Sequence, residues 1–185
     1  MLSNINVNAL VKAHDKASKW LWDGMDVRAH NVIIAGGFLR DMYNCKPVKD
    51  IDVFTTCPFP EQRRSEFNFT QRHMAADNCE HYDRIVGFKY LQDVTVTVEG
   101  TPFNFVFFDD NATFDCRKLI TGFDYTNCMI GFDGYAVEMD KRFMLDCRDK
   151  VLRRVNDTIG NLEARKARMQ EKYPDWRFVD ETEDF

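Results

Sequence analysis

Residues 33–54, IIAGGFLRDMYNCKPVKDIDVF, decide how this chain folds. An apolar run ends in the pair Gly36-Gly37, a helical segment follows, and the next apolar run carries Asp50 and Asp52 one residue apart. Side chains alternate across a strand, so the two aspartates point to one face while the residues between and after them point to the core. The stretch therefore predicts a strand, a glycine turn, a helix and a second strand, with two like charges side by side.

Two neighbouring carboxylates repel each other and raise each other's pKa unless a cation lies between them. A divalent metal ion removes that repulsion, and Mg²⁺ prefers one or two carboxylates together with water and substrate phosphates. Asp50 and Asp52 are therefore candidate metal ligands. The alternative interpretation is an exposed edge strand whose polar face happens to be acidic.

The pair Gly36-Gly37 lies between a buried strand and a helix, where backbone amides can approach a phosphate and the helix N-terminus adds positive potential. A Gly-Gly turn is common, and the dinucleotide-binding pattern G-x-G-x-x-G does not follow it. Together with the aspartates, however, the pair describes one site. Amides would bind phosphates there, and carboxylates would bind the metal ion that bridges those phosphates.

Composition favours one globular domain. The chain has 185 residues, 44% of them hydrophobic and 16 of them Phe, which is enough for one sizeable core and short for two domains. The formal net charge of -5 excludes a global basic field that could hold a long nucleic acid by its phosphates alone. We see no signal peptide, no bilayer-spanning run and no C-x-x-C pair among six cysteines, so we expect a cytoplasmic protein with reduced thiols and no membrane partner.

Hydrophobic periodicity along the chain predicts an α+β fold. We expect further strands in the segments VTVTVEG (94–100), TPFNFVFF (101–108) and YTNCMIGFDGYAVEM (125–139), the last with Asp133-Gly134 as a hairpin turn. The expected helices cover 8–22, Glu61 to about Cys79, 112–120, and a segment from the N-cap candidate Asp157 towards Pro174. We divide the single domain into an N-terminal helix (1–30), a core (31–155), and a C-terminal helix with an acidic tail expected to fray (156–185).

GGFLRD (36–41) followed by KDIDVF (49–54) resembles the G-G-x-x-R-D and D-x-D signature of the DNA-polymerase-β-like nucleotidyltransferase superfamily. The likeness is greatest to the catalytic head of tRNA-nucleotidyltransferases and poly(A) polymerases. The segment FDYTNCMIGFDG (123–134) extends it to small stand-alone, phage-type nucleotidyltransferases. The resemblance implies a mixed, mostly antiparallel, twisted sheet with flanking helices. We expect the helices on one side of this sheet and the aspartates on its open face.

By this resemblance, Gly36 and Gly37 hold the triphosphate of an incoming nucleotide. Asp50 and Asp52 bind two Mg²⁺, or Mn²⁺, ions and are the catalytic residues. Arg40 is predicted either to reach a phosphate or to brace the turn through the adjacent Asp41. The alternatives for Lys49 are a phosphate contact and an ordinary solvated lysine.

The superfamily carries a third carboxylate on a later strand, where this chain offers Asn104. An amide coordinates a metal ion weakly and cannot act as a base for an attacking hydroxyl. Asp109, Asp110 and Asp124 are the other candidates for this third position. If none of them serves, the enzyme is slow, uses a nucleophile that needs no base, or is inactive.

These features predict a metal-dependent nucleotidyltransferase that transfers a nucleoside monophosphate from an NTP to a hydroxyl and releases pyrophosphate. The acceptor is a protein side chain, an RNA end or a small molecule. Only residues 157–185 follow DKVLRRVN, which is too little for domains that select a base and bind tRNA, so specific CCA addition is not expected.

The alternative function is a catalytically weak or inactive nucleotide-binding module, such as an antitoxin-like protein or a nucleotide decoy. Asn104 favours this alternative and the intact aspartate pair opposes it. The sequence names neither the base nor the acceptor nor the oligomeric state. A phage-encoded chain would act in the host cytoplasm.

Overall fold

The structure is a computed structural model that describes residues 4–22, 31–60, 63, 90–109, 115–156 and 161–182. Its α-helices are α1 (Val7–Leu21), α2 (Gly37–Tyr43), α3 (Cys116–Thr121), α4 (Lys141–Asp149) and α5 (Leu162–Lys172). Its strands are β1 (Val32–Ala35), β2 (Ile51–Thr55), β3 (Tyr90–Val98), β4 (Thr101–Phe108), β5 (Ile130–Phe132), β6 (Val137–Met139), β7 (Val151–Arg154) and β8 (Arg177–Asp180).

Six of these strands form one sheet in the order β3-β4-β2-β1-β5-β6. Its neighbours are antiparallel except for β2 and β4, which run parallel. The predicted mixed, mostly antiparallel sheet with flanking helices in a single α+β domain is therefore confirmed. The helix expected over 8–22 and the hairpin at Asp133-Gly134 are confirmed as α1 and the β5–β6 pair.

Apolar side chains cover both faces of the sheet, because the strand residues alternate between two buried clusters. Ile34, Val53 and Phe105 pack with residues of α1 and α2 on one face. Phe54 and Val106 pack with residues of α3 on the other face. The expectation of helices on one side only is wrong, because the short helix α3 covers part of the second face.

The glycine turn places the end of β1 beside the start of β2. In the antiparallel β1–β2 pair, Ile34 lies opposite Val53, which brings Gly36 next to the residues that open β2. Gly36 has a φ of 76°, a backbone conformation that residues with a side chain rarely adopt. Its N–H donates to the carbonyl of Ile130 at 2.9 Å. The turn is thus tied to β5 as well as to β1.

The C-terminal segment returns to the domain through a second, two-stranded sheet. Strand β8 pairs in parallel with β7, and α5 connects them. Asp180 forms an ion pair with Arg154, and the N–H of Glu181 donates to the Arg154 carbonyl at 2.9 Å. The acidic segment is therefore held as far as Thr182 rather than frayed.

The domain division itself stays a prediction, although its boundary at residue 155 falls between two paired strands. Helix α5 begins after the N-cap Asn161, and the predicted N-cap Asp157 lies outside the described residues. The helix expected from Glu61 to Cys79 also lies outside them, apart from residue 63. None of the described helices combines the length and apolar character required to cross a bilayer.

Candidate active site

A cavity of about 480 Å³ lies beside the glycine turn. The six residues that the sequence predicts for catalysis and nucleotide binding all line it: Gly36, Gly37, Arg40, Lys49, Asp50 and Asp52. The turn supplies the glycines, Asp50 just before β2 and Asp52 within it supply the carboxylates, and side chains of α5 supply another part of the lining. The glycine pair and the two aspartates therefore line the same cavity.

Gly37 lies close to two charged groups of the site, Arg40 and Asp52. A Cβ atom on Gly37 would lie 3.6 Å from Nη2 of Arg40 and 3.9 Å from Oδ2 of Asp52. A methyl group would fit there, whereas a longer side chain would fill the space between the guanidinium and the carboxylate. The absence of a side chain therefore keeps the cavity open between these two charges.

Asp52 is a half-buried carboxylate whose orientation is fixed by its neighbour on β4. Nδ2 of Asn104 donates to its Oδ1 at 3.1 Å, and the Thr95 hydroxyl donates to Oδ1 of Asn104 at 3.3 Å. Burial raises the pKa of Asp52 to about 6; the Asn104 hydrogen bond opposes this rise and the Asp50 charge adds to it. The repulsion between the two aspartates expected from the sequence is therefore present.

Arg40 and Asp41 form a buried charged network between α2 and α5. Nε of Arg40 donates to Oδ1 of Asp41 at 2.8 Å, and the Tyr173 hydroxyl donates to the same oxygen at 2.8 Å. Lys172 forms an ion pair with the other oxygen of Asp41. Arg40 thus braces the turn, as one of its two predicted roles requires, while its Nη2 atom lies at the glycine turn.

The third-carboxylate candidates lie in very different places. Asn104 is the direct partner of Asp52 in the parallel β2–β4 register. Asp124 lines the cavity, but it is 3% exposed and forms an ion pair with Arg165, whose Nη2 donates at 2.8 Å. Asp109 lies beyond the end of β4, five residues from Asn104, which corresponds to roughly 16 Å along a strand. Asp110 lies outside the described residues.

Sequence reasoning did not assign the cationic face of α5 to this site. Arg165, Arg168 and Lys172 all line the cavity, because spacings of three and four residues place them on one side of the helix. Arg168 is exposed and, within the described ranges, neither it nor the exposed Lys49 forms an ion pair. The sequence pattern that could have indicated this face is the spacing of basic residues in LEARKARMQEK, but ordinary solvent-exposed helices carry the same pattern.

The donor set fits one magnesium-like ion. Asp50 and Asp52 supply two carboxylates, and Mg²⁺ completes its shell with water and substrate phosphates. Over the part of the chain that the structure describes, no group of three or more His, Cys, Asp or Glu side chains is arranged for a metal ion. The site therefore offers the ligands expected of a metal bound together with a nucleotide.

A family model described as "Gabija anti-defense 2 family protein" matches residues 7–150, more than three quarters of the chain. The chain belongs to the Gabija anti-defense 2 family. The matched region contains the glycine turn, both aspartates and Asn104, and it ends before α5. No curated protein is detectably similar to this Gabija anti-defense 2 protein in sequence.

Solved structures of tRNA-processing enzymes share the fold of the Gabija anti-defense 2 chain. The Thermotoga maritima CCA-adding enzyme complexed with tRNA superposes with a TM-score of 0.54 and 16% identity over 97% of this chain. A CCA-adding enzyme in apo form II superposes with a TM-score of 0.53 and 15% identity over 98% of this chain. A tRNA-processing enzyme in apo form I superposes with a TM-score of 0.53 and 13% identity over 94% of this chain. The chain covers 44% of each of these proteins. At such identities the likeness establishes a nucleotidyltransferase-like fold.

Proposed function

We propose that this Gabija anti-defense 2 protein is a metal-dependent nucleotidyltransferase, which transfers a nucleoside monophosphate from an NTP to a hydroxyl and releases pyrophosphate. The observation that carries the proposal is the placement of Asp50 and Asp52 in one cavity with the glycine turn. Carboxylates for a metal ion and amides for phosphates are the two requirements of this chemistry.

The chain's own residues would bind and orient the triphosphate. The backbone amide of Gly37 lies in the first turn of α2, and Nη2 of Arg40 lies beside Gly37. The Gly36 N–H is already used by the Ile130 carbonyl, so Gly36 would contribute its open, side-chain-free turn. Lys49 and Arg168 line the same cavity and bring positive charge that no described carboxylate neutralises. These groups would hold the phosphates in line for displacement, which provides much of the rate enhancement in phosphoryl transfer.

Asp50 and Asp52 would hold the divalent ion, Mg²⁺ or Mn²⁺. When bound, this ion would neutralise charge on the phosphates and polarise the reacting phosphorus. The acceptor oxygen would form its bond to the α-phosphorus as the bond to the pyrophosphate oxygen breaks. The hydroxyl proton would pass to water, because Asn104 cannot accept it.

The family description points to the acceptor that should be tested first. It relates these proteins to the Gabija defence, so a hydroxyl on a Gabija component is our preferred acceptor, with action in the cytoplasm of an infected host. An RNA end is the second choice, since one of the solved structures with this fold is complexed with tRNA. A small-molecule hydroxyl is the third.

A nucleotide-binding module without transferase activity is the alternative function. Asn104 favours it, because this residue occupies the position opposite Asp52 where a carboxylate would supply charge and basicity. Such a module would bind an NTP with Mg²⁺ and act by sequestering it or by docking onto a partner.

The deciding experiment incubates the protein with Mg²⁺, each α-³²P-labelled NTP in turn, and Gabija components or total RNA. We expect pyrophosphate release and transfer of label to one acceptor. Both should be lost in Asp52→Asn and kept in Asp149→Asn, which alters an exposed aspartate outside the cavity. NTP binding without pyrophosphate or labelled acceptor would favour the binding module instead.

A further inference from the structure

A chain of hydrogen bonds occupies the position opposite Asp52. The Thr95 hydroxyl donates to Oδ1 of Asn104, and Nδ2 of Asn104 donates to Oδ1 of Asp52. Both polar ends of the Asn104 amide are therefore in use within the protein. The Asn104 oxygen points to Thr95, so it is not presented to an ion on the Asp52 side.

Asp41 and Asp124 also line the cavity, but neither carboxylate is available as a further metal ligand. Asp124 receives two hydrogen bonds from the guanidinium of Arg165 and one from the Tyr125 backbone N–H at 3.0 Å. Asp41 is shared by Arg40, Lys172 and the Tyr173 hydroxyl. Only Asp50 and Asp52 are left, among the described residues of the cavity, without a cationic partner.

Positive charge already lies in the same cavity as the two aspartates. Arg40 and Arg165 act electrostatically on Asp52, and Lys49 and Arg168 line the same cavity. In two-metal sites the ions lie about 3.5–4 Å apart, and two divalent ions repel about four times as strongly as two single charges at that separation. A third carboxylate would reduce this repulsion, and here its place holds a neutral amide.

We infer that the site binds one divalent ion with its nucleotide rather than two, and that Lys49 and Arg168 provide the charge that a second ion would bring. Asn104 is a positioning residue in this arrangement, since it fixes the rotamer of Asp52 and contributes no ligand. The inference rests on the proposed function. It implies that the acceptor hydroxyl reacts without a metal ion bound to it.

Counting bound Mn²⁺ tests the inference without reference to activity. Mn²⁺ is titrated into the full chain with α,β-methylene-ATP, and the remaining free Mn²⁺ is measured by its electron paramagnetic resonance signal. The titration is repeated with the α,β-methylene analogues of the other three bases. We expect one bound Mn²⁺ per chain in the wild type. Asn104→Asp should bind two, with the spectral broadening of a coupled pair, and Asn104→Leu, which adds no donor, should bind one.

The outcomes separate the inference from the proposed function. Two Mn²⁺ ions in the wild type, or one in a folded Asn104→Asp variant, would overturn the one-metal inference and leave the nucleotidyltransferase proposal standing. No bound Mn²⁺ with any analogue would overturn both. A circular dichroism melting curve would reveal whether Asn104→Asp folds. If it does not, the number of Mn²⁺ ions bound to the wild type decides alone.

Discussion

Asn104 donates a hydrogen bond of 3.1 Å to Asp52 from the neighbouring parallel strand. The Asn104 amide stabilises the Asp52 carboxylate, whereas a carboxylate at position 104 would repel it. Asn104→Asp should restore both negative charge and basicity, and we expect transferase turnover to rise by about 10²-fold or more. Turnover is measured as pyrophosphate release, with Asn104→Leu as the variant that should show no gain. An unchanged rate in Asn104→Asp would mean that the third functional group lies elsewhere.

Asp52 should make the metal-free protein less stable as the pH rises. Its folded pKa is about 6, whereas an ordinary aspartate has a pKa of 3.8, so between these values the folded chain retains a proton that the unfolded chain has released. Stability therefore falls as the pH rises through this window, and the loss is complete above about pH 6. Asp52→Asn should stabilise the protein by about 2 kcal/mol at pH 7.5 and have little effect below pH 4.

Urea unfolding in EDTA at the two pH values measures this difference. Asp149→Asn is the control, because the Arg148 hydrogen bond lowers the pKa of the exposed Asp149. That variant should gain nothing at pH 7.5. A stability gain for Asp52→Asn that is equal at both pH values would show that the carboxylate does not titrate as described.

Asp124 should prove structural rather than metal-binding. Replacing it with Asn leaves the half-buried guanidinium of Arg165 without its ion-pair partner, which should cost about 3 kcal/mol of unfolding free energy. Urea unfolding without metal reads this loss, and Asp124→Asn combined with Arg165→Met should recover part of it. A variant of full stability that no longer binds Mn²⁺ would make Asp124 a ligand.

Arg168 should contribute to nucleotide affinity. It is exposed in the cavity and unpaired among the described residues, so loss of one charge-assisted contact in Arg168→Ala should raise the KM for the NTP about 10-fold. Steady-state kinetics, or calorimetric titration with α,β-methylene-ATP, would measure the change. Arg177→Ala removes an exposed arginine from β8, outside the cavity, and should leave the KM as it was.

Tyr173 should stabilise the domain through its hydroxyl group. The hydroxyl donates to the buried Asp41 carboxylate at 2.8 Å, so Tyr173→Phe should lower the unfolding free energy by about 2 kcal/mol. Tyr125→Phe is a matched control, because the hydroxyl of Tyr125 is buried without a hydrogen-bond partner in the described structure. Equal losses in the two variants, measured by urea unfolding, would contradict the role assigned to the Asp41 network.

The clustering of the glycine pair with the two aspartates could be predicted because their spacing is local. Asp50 directly precedes β2 and Asp52 is its second residue, so alternation predicts that the two lie together, and a turn between a strand and a helix explains Gly36-Gly37. Asn104 could also be identified, since it stands at an alternating position of an apolar strand. The parallel β2–β4 register that sets it opposite Asp52 is a long-range pairing, which the sequence does not encode locally.

The cationic wall could not be predicted, because it depends on the return of the chain through β8. Arg165 and Arg168 follow Asp52 by more than 110 residues, and their spacing is that of an ordinary solvated helix. The acidic end was expected to fray for a similar reason. Arg153 and Arg154 neutralise Glu181 and Asp180 across the β7–β8 pair, and this pairing is visible only in the folded chain.

The position of α5 between two hydrogen-bonded strands has a consequence for how such proteins can diverge. Main-chain bonds of the β7–β8 pair hold both ends of the helix, and Met169 anchors its buried side. Arg168 is the exposed residue of α5 that lines the cavity, so it can be exchanged at little cost to folding while the exchange alters the cavity wall. Under the proposed function, variation in nucleotide preference should accumulate at this position, where selection can act on chemistry almost independently of stability.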